Sequence, residues 1–446
     1  MPAAAVTSGF TAASFEAFLA DRRDPPWLVD MRRAAFARFL ELPLPSRREE
    51  EWMQTDIRLF RLEKFAPPSP PDAATPLHPT APAHLLSAGV ELDGSMSVVN
   101  GRHLASSVND AAAAQGVLFG SLDDLVAEHG DRLKPYFERK LVDVGVDKFA
   151  ALQAAFWTGG TLLFVPRGVT VARPFHNLSA LLNDAATPGA MPVDLSKILV
   201  VLEDGASATL LSETAGDDSP ALHCGSIELF VGPGAQLRYV NLQNWGHGTW
   251  HFARQKAAVD RDGSLQWTIG ALGSRLAKVN QHVALVGPHA RAQVNGVMFT
   301  EGRQHLSYHT LQHHEQPHGK SDLLYKGALQ DESRVVWRGM IKVDREAQKT
   351  DGYQRDDNLM LSDAARADSI PGLEIEADDV RCTHGATAGR VDESQIFYAR
   401  SRGFTRQEAI RTIVAGFFQQ VFDRIEIESV REALGLAISR RIREYE

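Results

Sequence analysis

Leu202-Glu203-Asp204-Gly205-Ala206, Val231-Gly232-Pro233-Gly234-Ala235, Val259-Asp260-Arg261-Asp262-Gly263-Ser264 and Val286-Gly287-Pro288-His289-Ala290 read as four versions of one turn. From Gly205 to Gly234, Gly263 and His289 the steps are 29, 29 and 26 residues. Between the turns lie short alternating runs such as Lys197-Ile198-Leu199-Val200-Val201-Leu202 and Ser226-Ile227-Glu228-Leu229-Phe230-Val231. Less regular echoes stand at Leu329-Gln330-Asp331-Glu332-Ser333 and Ile375-Glu376-Ala377-Asp378-Asp379. A strand–turn–strand unit at a fixed period of this length is the sequence mark of a solenoid. With β-branched and aromatic residues in the runs and no helix between them, the expected core is a parallel β-helix over residues 161–389. A β-sandwich is the alternative.

Outward from that core the pattern turns helical at both ends. Residues 1–66 read as an N-terminal helical region, with Pro25 and Pro26 near the first turn of a helix that carries Trp27, Met31, Ala34, Ala35 and Leu40. Residues 67–82 form a proline-rich linker, because Pro67, Pro68, Pro70, Pro71, Pro76, Pro79 and Pro82 cannot hold a helix or a ladder. Residues 83–160 are mixed and largely helical, with a helical pattern from Ser121 to Trp157 that Gly159-Gly160 stops. Residues 390–446 form a C-terminal helical domain. There Thr405-Arg406-Gln407-Glu408 has the form of a capping box, and Ser429-Val430-Arg431-Glu432 repeats it. Apolar stripes follow each: Ile410, Ile413, Val414, Phe417, Val421 and Ile425, then Leu434, Ala437, Ile438, Ile442 and Tyr445.

Composition excludes several classes. The 446 residues are 44% hydrophobic and 23% charged, which suits a packed globular chain and not a disordered one. Against 47 Lys and Arg stand 56 Asp and Glu, a net charge of −9 that opposes general nucleic-acid binding. No apolar run reaches the length of a membrane span, and Met1 to Ala20 lacks the basic start of a secretory signal. Two cysteines, Cys224 and Cys382, cannot build a disulfide framework, so a cytoplasmic location is expected.

The chemical motifs divide into false and open ones. His314-Glu315-Gln316-Pro317-His318 matches H-E-x-x-H, but Pro317 cannot sit inside the helix that a zinc peptidase needs. His305, His309, His313, His314 and His318 are nonetheless five of sixteen histidines, so a metal module using His309 and His314 is one reading and a hydrogen-bonded solenoid face the other. Gly319-Lys320-Ser321 lacks the upstream glycine of a phosphate loop, since His314 holds that position, and Gly232-Pro233-Gly234 has Leu237 where a dinucleotide fingerprint needs glycine. No nucleotide is expected on this chain. Asp351, Asp356 and Asp357 allow a β-helix carbohydrate-active enzyme as an alternative function. In Arg381-Cys382-Thr383-His384-Gly385-Ala386-Thr387, a thiol and an imidazole share one face of a strand and can reach one metal or one partner sulfur. A buried thiol beside a hydrogen-bonded imidazole is the other reading.

Pro371-Gly372-Leu373-Glu374-Ile375, Cys382-Thr383-His384-Gly385-Ala386-Thr387, Gln395-Ile396-Phe397-Tyr398 and Ser401-Arg402-Gly403 together resemble the signature of the SufB/SufD family of scaffolds for SUF iron–sulfur cluster assembly. The resemblance runs back through Tyr325-Lys326-Gly327 and Thr350-Asp351-Gly352-Tyr353-Gln354 to Ser46-Arg47-Arg48-Glu49-Glu50-Glu51-Trp52-Met53-Gln54-Thr55-Asp56, where the family more often has Arg-Tyr than Met53-Gln54. Thr383-His384-Gly385-Ala386, where SufB members usually show Glu-His-Glu-Ala, is most similar to SufD. The resemblance implies a right-handed parallel β-helix between helical regions and a non-catalytic scaffold. Its partners would be a SufB-like paralogue and a SufC-like ABC-type ATPase, with neither nucleic acid nor membrane; a homodimer of the isolated chain is left open. It also implies a transient iron–sulfur cluster or iron held at the SufB interface by His384, with Cys382 beside it. The sequence does not decide flavin binding. Docking of the ATPase is expected on the C-terminal helices, through Phe418, Phe422, Ile425, Val430 and Leu434.

Overall fold

The computed structural model describes residues 9–68, 85–183 and 191–442. Beyond Pro67 and Pro68 the proline-rich stretch lies outside the described residues, as does Tyr445. The chain alternates between two sheets. The front sheet takes Ser207–Gly216, Gln236–Gln243, Ser264–Ala271, Arg291–Thr300, Lys320–Leu329, Asp351–Met360 and Arg381–Arg390. The back sheet takes Thr161–Val165, Lys197–Leu202, Ala221–Val231, Thr249–Val259, Leu276–Leu285, His305–His314, Arg334–Val343 and Arg366–Ile375. Each strand pairs in parallel with its counterpart one turn away: Ser207 lies beside Gln236, then Ser264, Arg291, Lys320, Asp351 and Arg381. The result is a parallel β-solenoid of about 7 turns flanked by N- and C-terminal helices.

One corner of every turn repeats a single backbone device. Gly205, Gly234, Asp262, His289, His318 and Lys349 all hold φ between 56° and 67°, the left-handed region. Each precedes its front-sheet strand by two residues, so the true steps are 29, 28, 27, 29 and 31. The third turn is therefore centred on Asp262, not Gly263, and the series runs on through His318 and Lys349, which no glycine advertises. The N–H of each corner residue donates to the next turn: Gly205 to Pro233, Gly234 to Arg261, Asp262 to Pro288, His289 to Pro317, His318 to Gln348 and Lys349 to Asp379, at 2.6–3.1 Å. The corners thus stack by their own hydrogen bonds as the strands do.

Alternation fills the lumen with one set of side chains and presents the other to flanking elements. Tyr239, Trp267, Tyr308, Tyr325 and Trp337 are fully buried between the sheets. On the outer face of the back sheet, Phe252 stacks on Phe149 of helix Lys148–Phe156 with centroids 3.8 Å apart. Helices Ala12–Ala20 and Pro26–Glu41 close over the same face through Phe15, Phe36 and Phe156. Helix Pro26–Glu41 starts on its proline, as the sequence suggests. On the outer face of the front sheet, Ile410, Val414, Phe418 and Leu434 of helices Arg406–Phe422 and Glu428–Ser439 pack on Val240, Val297, Phe299 and Leu324. The Thr405 capping box forms, with Glu408 returning the bond. The second expected box does not: helix Glu428–Ser439 begins before Ser429, after Ile427, with no side-chain cap.

The stretch before the core contributes more strand than its helical pattern suggests. Gly94–Val99, Arg102–Val108 and Leu118–Ser121 extend the two sheets, alongside helices Leu122–Glu138 and Lys148–Phe156. No helix among the described residues is long and apolar enough to cross a membrane.

The corner device gives a direct test. A Cβ on Gly234 would meet no atom within 4 Å, so Gly234→Ala carries only the conformational cost of the left-handed region, about 1–2 kcal/mol. Urea titration should show that loss for Gly234→Ala, and no loss for Lys349→Gly.

Candidate functional site

The solenoid is open at its C-terminal end. Arg366–Ile375 and Arg381–Arg390 are the last strands of their sheets, each paired along one edge only. Ile370, Leu373 and Ile375 stand 38–39% exposed there. An edge of this kind leaves backbone donors and acceptors available to another chain.

Cys382 and His384 lie on the last strand, opposite Gly352 and Gln354. Gln354 is fully buried in the lumen, so alternation directs both Cys382 and His384 to the lumen side of the open mouth. Cys382 is half-buried beside Ile341, Val343 and Ala347, and burial pushes its thiol above the ordinary range. His384 is exposed. Below them, Gln354 Nε2 donates to the carbonyl of Gly372 at 2.9 Å. Asp356 accepts from Ser369 Oγ at 2.5 Å and Asn358 Nδ2 at 2.6 Å, and desolvation pushes its carboxyl up to about 7. A thiol and an imidazole suit iron, but two ligands do not complete an iron–sulfur site. Among the described residues no three His, Cys, Asp or Glu side chains are placed to hold a metal ion. Cys224 adds nothing at the mouth, because it is buried beneath the N-terminal helices and burial pushes its thiol well up.

Several expected sites come apart. His309 and His314 sit on one strand but five residues apart, so they face opposite sides and cannot share a metal. His314 is wholly buried, with Nε2 2.8 Å from Ser321 Oγ. The H-E-x-x-H stretch ends a strand and turns a corner at His318, which confirms that it is not a zinc helix. Asp356 and Asp357 are likewise on opposite faces, and Asp351, on the face of Asp357, lies six residues or about 20 Å along the strand, which removes the paired carboxylates that glycoside hydrolysis needs. Of the residues expected to dock a partner, Phe418, Ile425, Val430 and Leu434 are buried in the chain's own core and Phe422 is half-buried. Helix Glu428–Ser439 is therefore a structural layer, and truncating it would uncover the front sheet. The large apolar side chains that the C-terminal helical region leaves in solvent are Phe397, Tyr398, Phe404 and Leu436.

A second polar feature lies deep in the lumen and escaped sequence reading. A small cavity of about 40 Å³ is bordered by Asn177, Ser212, Asn241, Trp245, His223 and His251. His223 Nδ1 and His251 Nδ1 are 2.6 Å apart, so one imidazole donates and the other accepts. Desolvation holds both neutral, pushing His223 down to about 3. The available signal was their spacing: His223 and His251 are partners in register, one solenoid turn apart.

Burial also depresses His282 to about 3, His305 and His314 to about 4, and His309 to about 2. The unfolded chain protonates such groups below pH 6.5 while the folded chain does not, so their stability is full above pH 6.5 and is lost as pH falls. Asp356 and Asp194, raised to about 7 and about 6 by burial, act in the opposite sense between pH 4 and 7. The imidazoles outnumber them. The urea midpoint should fall from pH 7.5 to pH 5.5, and His282→Gln should make that fall shallower.

Comparison with known proteins gives one family across this geometry. Residues 185–417 match the family model for the SUF system FeS cluster assembly SufBD core domain, and residues 15–176 that for the SufBD protein N-terminal region. An iron-sulfur cluster assembly SufBD family protein of Mycobacterium tuberculosis is 31% identical over 307 residues, which cover 67% of this chain and 75% of the relative. A protein of the same description from Staphylococcus haemolyticus is 24% identical over 425 residues, covering 91% of this chain and 88% of the relative.

Proposed function

From the premise that this chain belongs to the SufBD family of the SUF iron–sulfur cluster assembly system, we propose that it is a SufD-like scaffold subunit that shares a nascent-cluster site with a SufB-like paralogue. The observation that carries this reading is the open mouth, where Cys382 and His384 stand on the lumen side of an edge strand with no third ligand beside them among the described residues. A partner solenoid that pairs with these edges would bring its ligands to the same place. Thr383-His384-Gly385, with no carboxylate beside the histidine, supports the SufD-like side of the pair.

Each group has a chemical role. His384 is exposed, and an imidazole nitrogen is a suitable ligand for iron. Cys382 holds its proton more firmly than an exposed thiol, so the partner supplies the main thiolate and Cys382 assists. A mixed site of this kind holds a cluster less tightly than four thiolates, which suits cargo that must leave. The chain has no phosphate loop, and an ABC-type ATPase of the SufC kind supplies the energy. It docks on the apolar side chains that the C-terminal helices leave exposed, Phe397, Tyr398, Phe404 and Leu436, in place of the buried stripe.

Complementation of a strain lacking the endogenous subunit tests the ligand assignment. His384→Ala should abolish cluster maturation while the melting temperature stays within about 2 °C, because an exposed side chain carries little packing. Cys382→Ser should be milder. Normal maturation with His384→Ala would return this histidine to a structural role. For the ATPase, Phe397→Ala with Tyr398→Ala should weaken SufC binding about 30-fold, equivalent to about 2 kcal/mol of interface burial, and leave SufB binding intact. Titration of each partner separately reads the difference, whereas Phe418→Ala should destabilise the chain by about 3–5 kcal/mol.

A further inference from the structure

One rung of the front sheet ties the strand of Cys382 and His384 to the C-terminal helices. Lys326, Asp357 and Thr387 are partners in register on three neighbouring strands, and all three point to the outer face. Thr387 Oγ1 donates to Asp357 Oδ1 at 2.6 Å. Asp357 is buried, and Arg355 Nε donates to its two oxygens at 3.0 and 2.9 Å. Lys326 Nζ lies 3.7 Å from Asp357 Oδ2. That same ammonium donates to the backbone carbonyl of Phe417 at 3.0 Å and sits 4.6 Å from the centre of the Phe417 ring. Phe417 belongs to helix Arg406–Phe422.

We propose that Asp357 is a positioning residue that couples the seating of helix Arg406–Phe422 to the order of the ligand strand Arg381–Arg390. The inference rests on the reading of Cys382 and His384 as ligands. An edge strand has a ladder on one side only and opens more readily than an inner one. A hydroxyl bonded to a buried carboxylate is a charge-assisted tie that an edge otherwise lacks. The carboxylate in turn is held by the Arg355 guanidinium and is ion-paired, at 3.7 Å, with an ammonium whose hydrogen bond goes to the helix. A partner that shifts the helix therefore moves Lys326, loosens Asp357 and frees Thr387, and the change arrives three residues from His384. Because Lys326 touches neither Thr387's strand nor the mouth, its removal separates transmission along the rung from direct contact.

Hydrogen exchange of strand Arg381–Arg390 and the alkylation rate of Cys382, measured on the full chain without cluster, give the test. Thr387→Val and Lys326→Met should each raise both by about tenfold, the equivalent of one charge-assisted hydrogen bond. The double variant should exceed either single by no more than about twofold, since both cut one path. Strands Gln236–Gln243 and Ser264–Ala271 should keep their protection. If Lys326→Met fails to fold, Asp357→Asn carries the comparison, keeping the shape and losing the charge, with the same tenfold rise expected. Unchanged exchange and alkylation in Lys326→Met, or in Asp357→Asn where that variant stands in, would overturn the coupling, as would effects that simply multiply in the double variant. Neither readout involves maturation, so a failure here is distinct from a failure of His384→Ala to disturb cluster assembly.

Discussion

Each strand of the core finds its hydrogen-bond partner one turn away, and the distance is set where the chain leaves the back sheet and enters the front one. There a left-handed residue turns the backbone, and its N–H reaches the carbonyl that precedes the equivalent residue of the next turn. Backbone groups removed from water must be paired, so a turn of the wrong length would break a corner bond and shift a strand register together. Variation is confined to the narrow range of 27–31 residues seen in the corner steps. The same rule makes the two ends of the solenoid special. At the start, antiparallel pairing with Arg102–Val108 and Leu118–Ser121 turns the sheets back on themselves. The other end has no such device, and it carries Cys382 and His384.

Inside, the lumen is filled in two ways that have opposite electrostatic consequences. Packed aromatics such as Trp267 and Tyr239, tilted against each other with centroids 5.6 Å apart, exclude water and fix the spacing of the sheets. Around His223 and His251 the filling is polar, and the cost of desolvation is met by mutual hydrogen bonding between neutral groups. A low dielectric then holds imidazoles neutral and carboxyls protonated, as the directions for His223 and Asp356 require. Charge is instead carried on the outer faces, where Lys326, Arg355 and Asp357 sit beneath the C-terminal helix.

How far the sequence could be read follows from what periodicity encodes. Glycine corners at Gly205 and Gly234 stand out because few other residues adopt the left-handed region, and they were enough to predict a β-solenoid. His318 and Lys349 do the same work without a glycine, so the repeat faded in sequence while it continued in space. Alternation separates His309 from His314 once the strand bounds are known. Helical stripes marked Val414 and Leu434 as apolar positions but not what covers them, and Phe418, Val430 and Leu434, expected to dock a partner, are buried in the chain's own core. Their partner is the front sheet, far earlier in the chain, so a stripe that resembled a docking face is an internal layer. The rung of Lys326, Asp357 and Thr387 was not legible, because a cross-strand register has no local signature.

The position of the candidate ligands on an edge strand has a consequence for how a shared site is assembled. Ligands built on a closed element would hold metal whether or not a partner were present. On an edge, the backbone groups that a partner must pair and the side chains that a cluster must meet lie on the same ten residues. Pairing would fix φ and ψ along Arg381–Arg390, and with them the directions in which Cys382 and His384 point, so the cost of ordering the ligands would be met by main-chain hydrogen bonds before iron arrives. The reverse also holds: anything that loosens the strand disperses the ligands without touching them. On the proposed reading, assembly and release are two states of one edge, with both ligands on the lumen side of the mouth, His384 exposed and Cys382 half-buried.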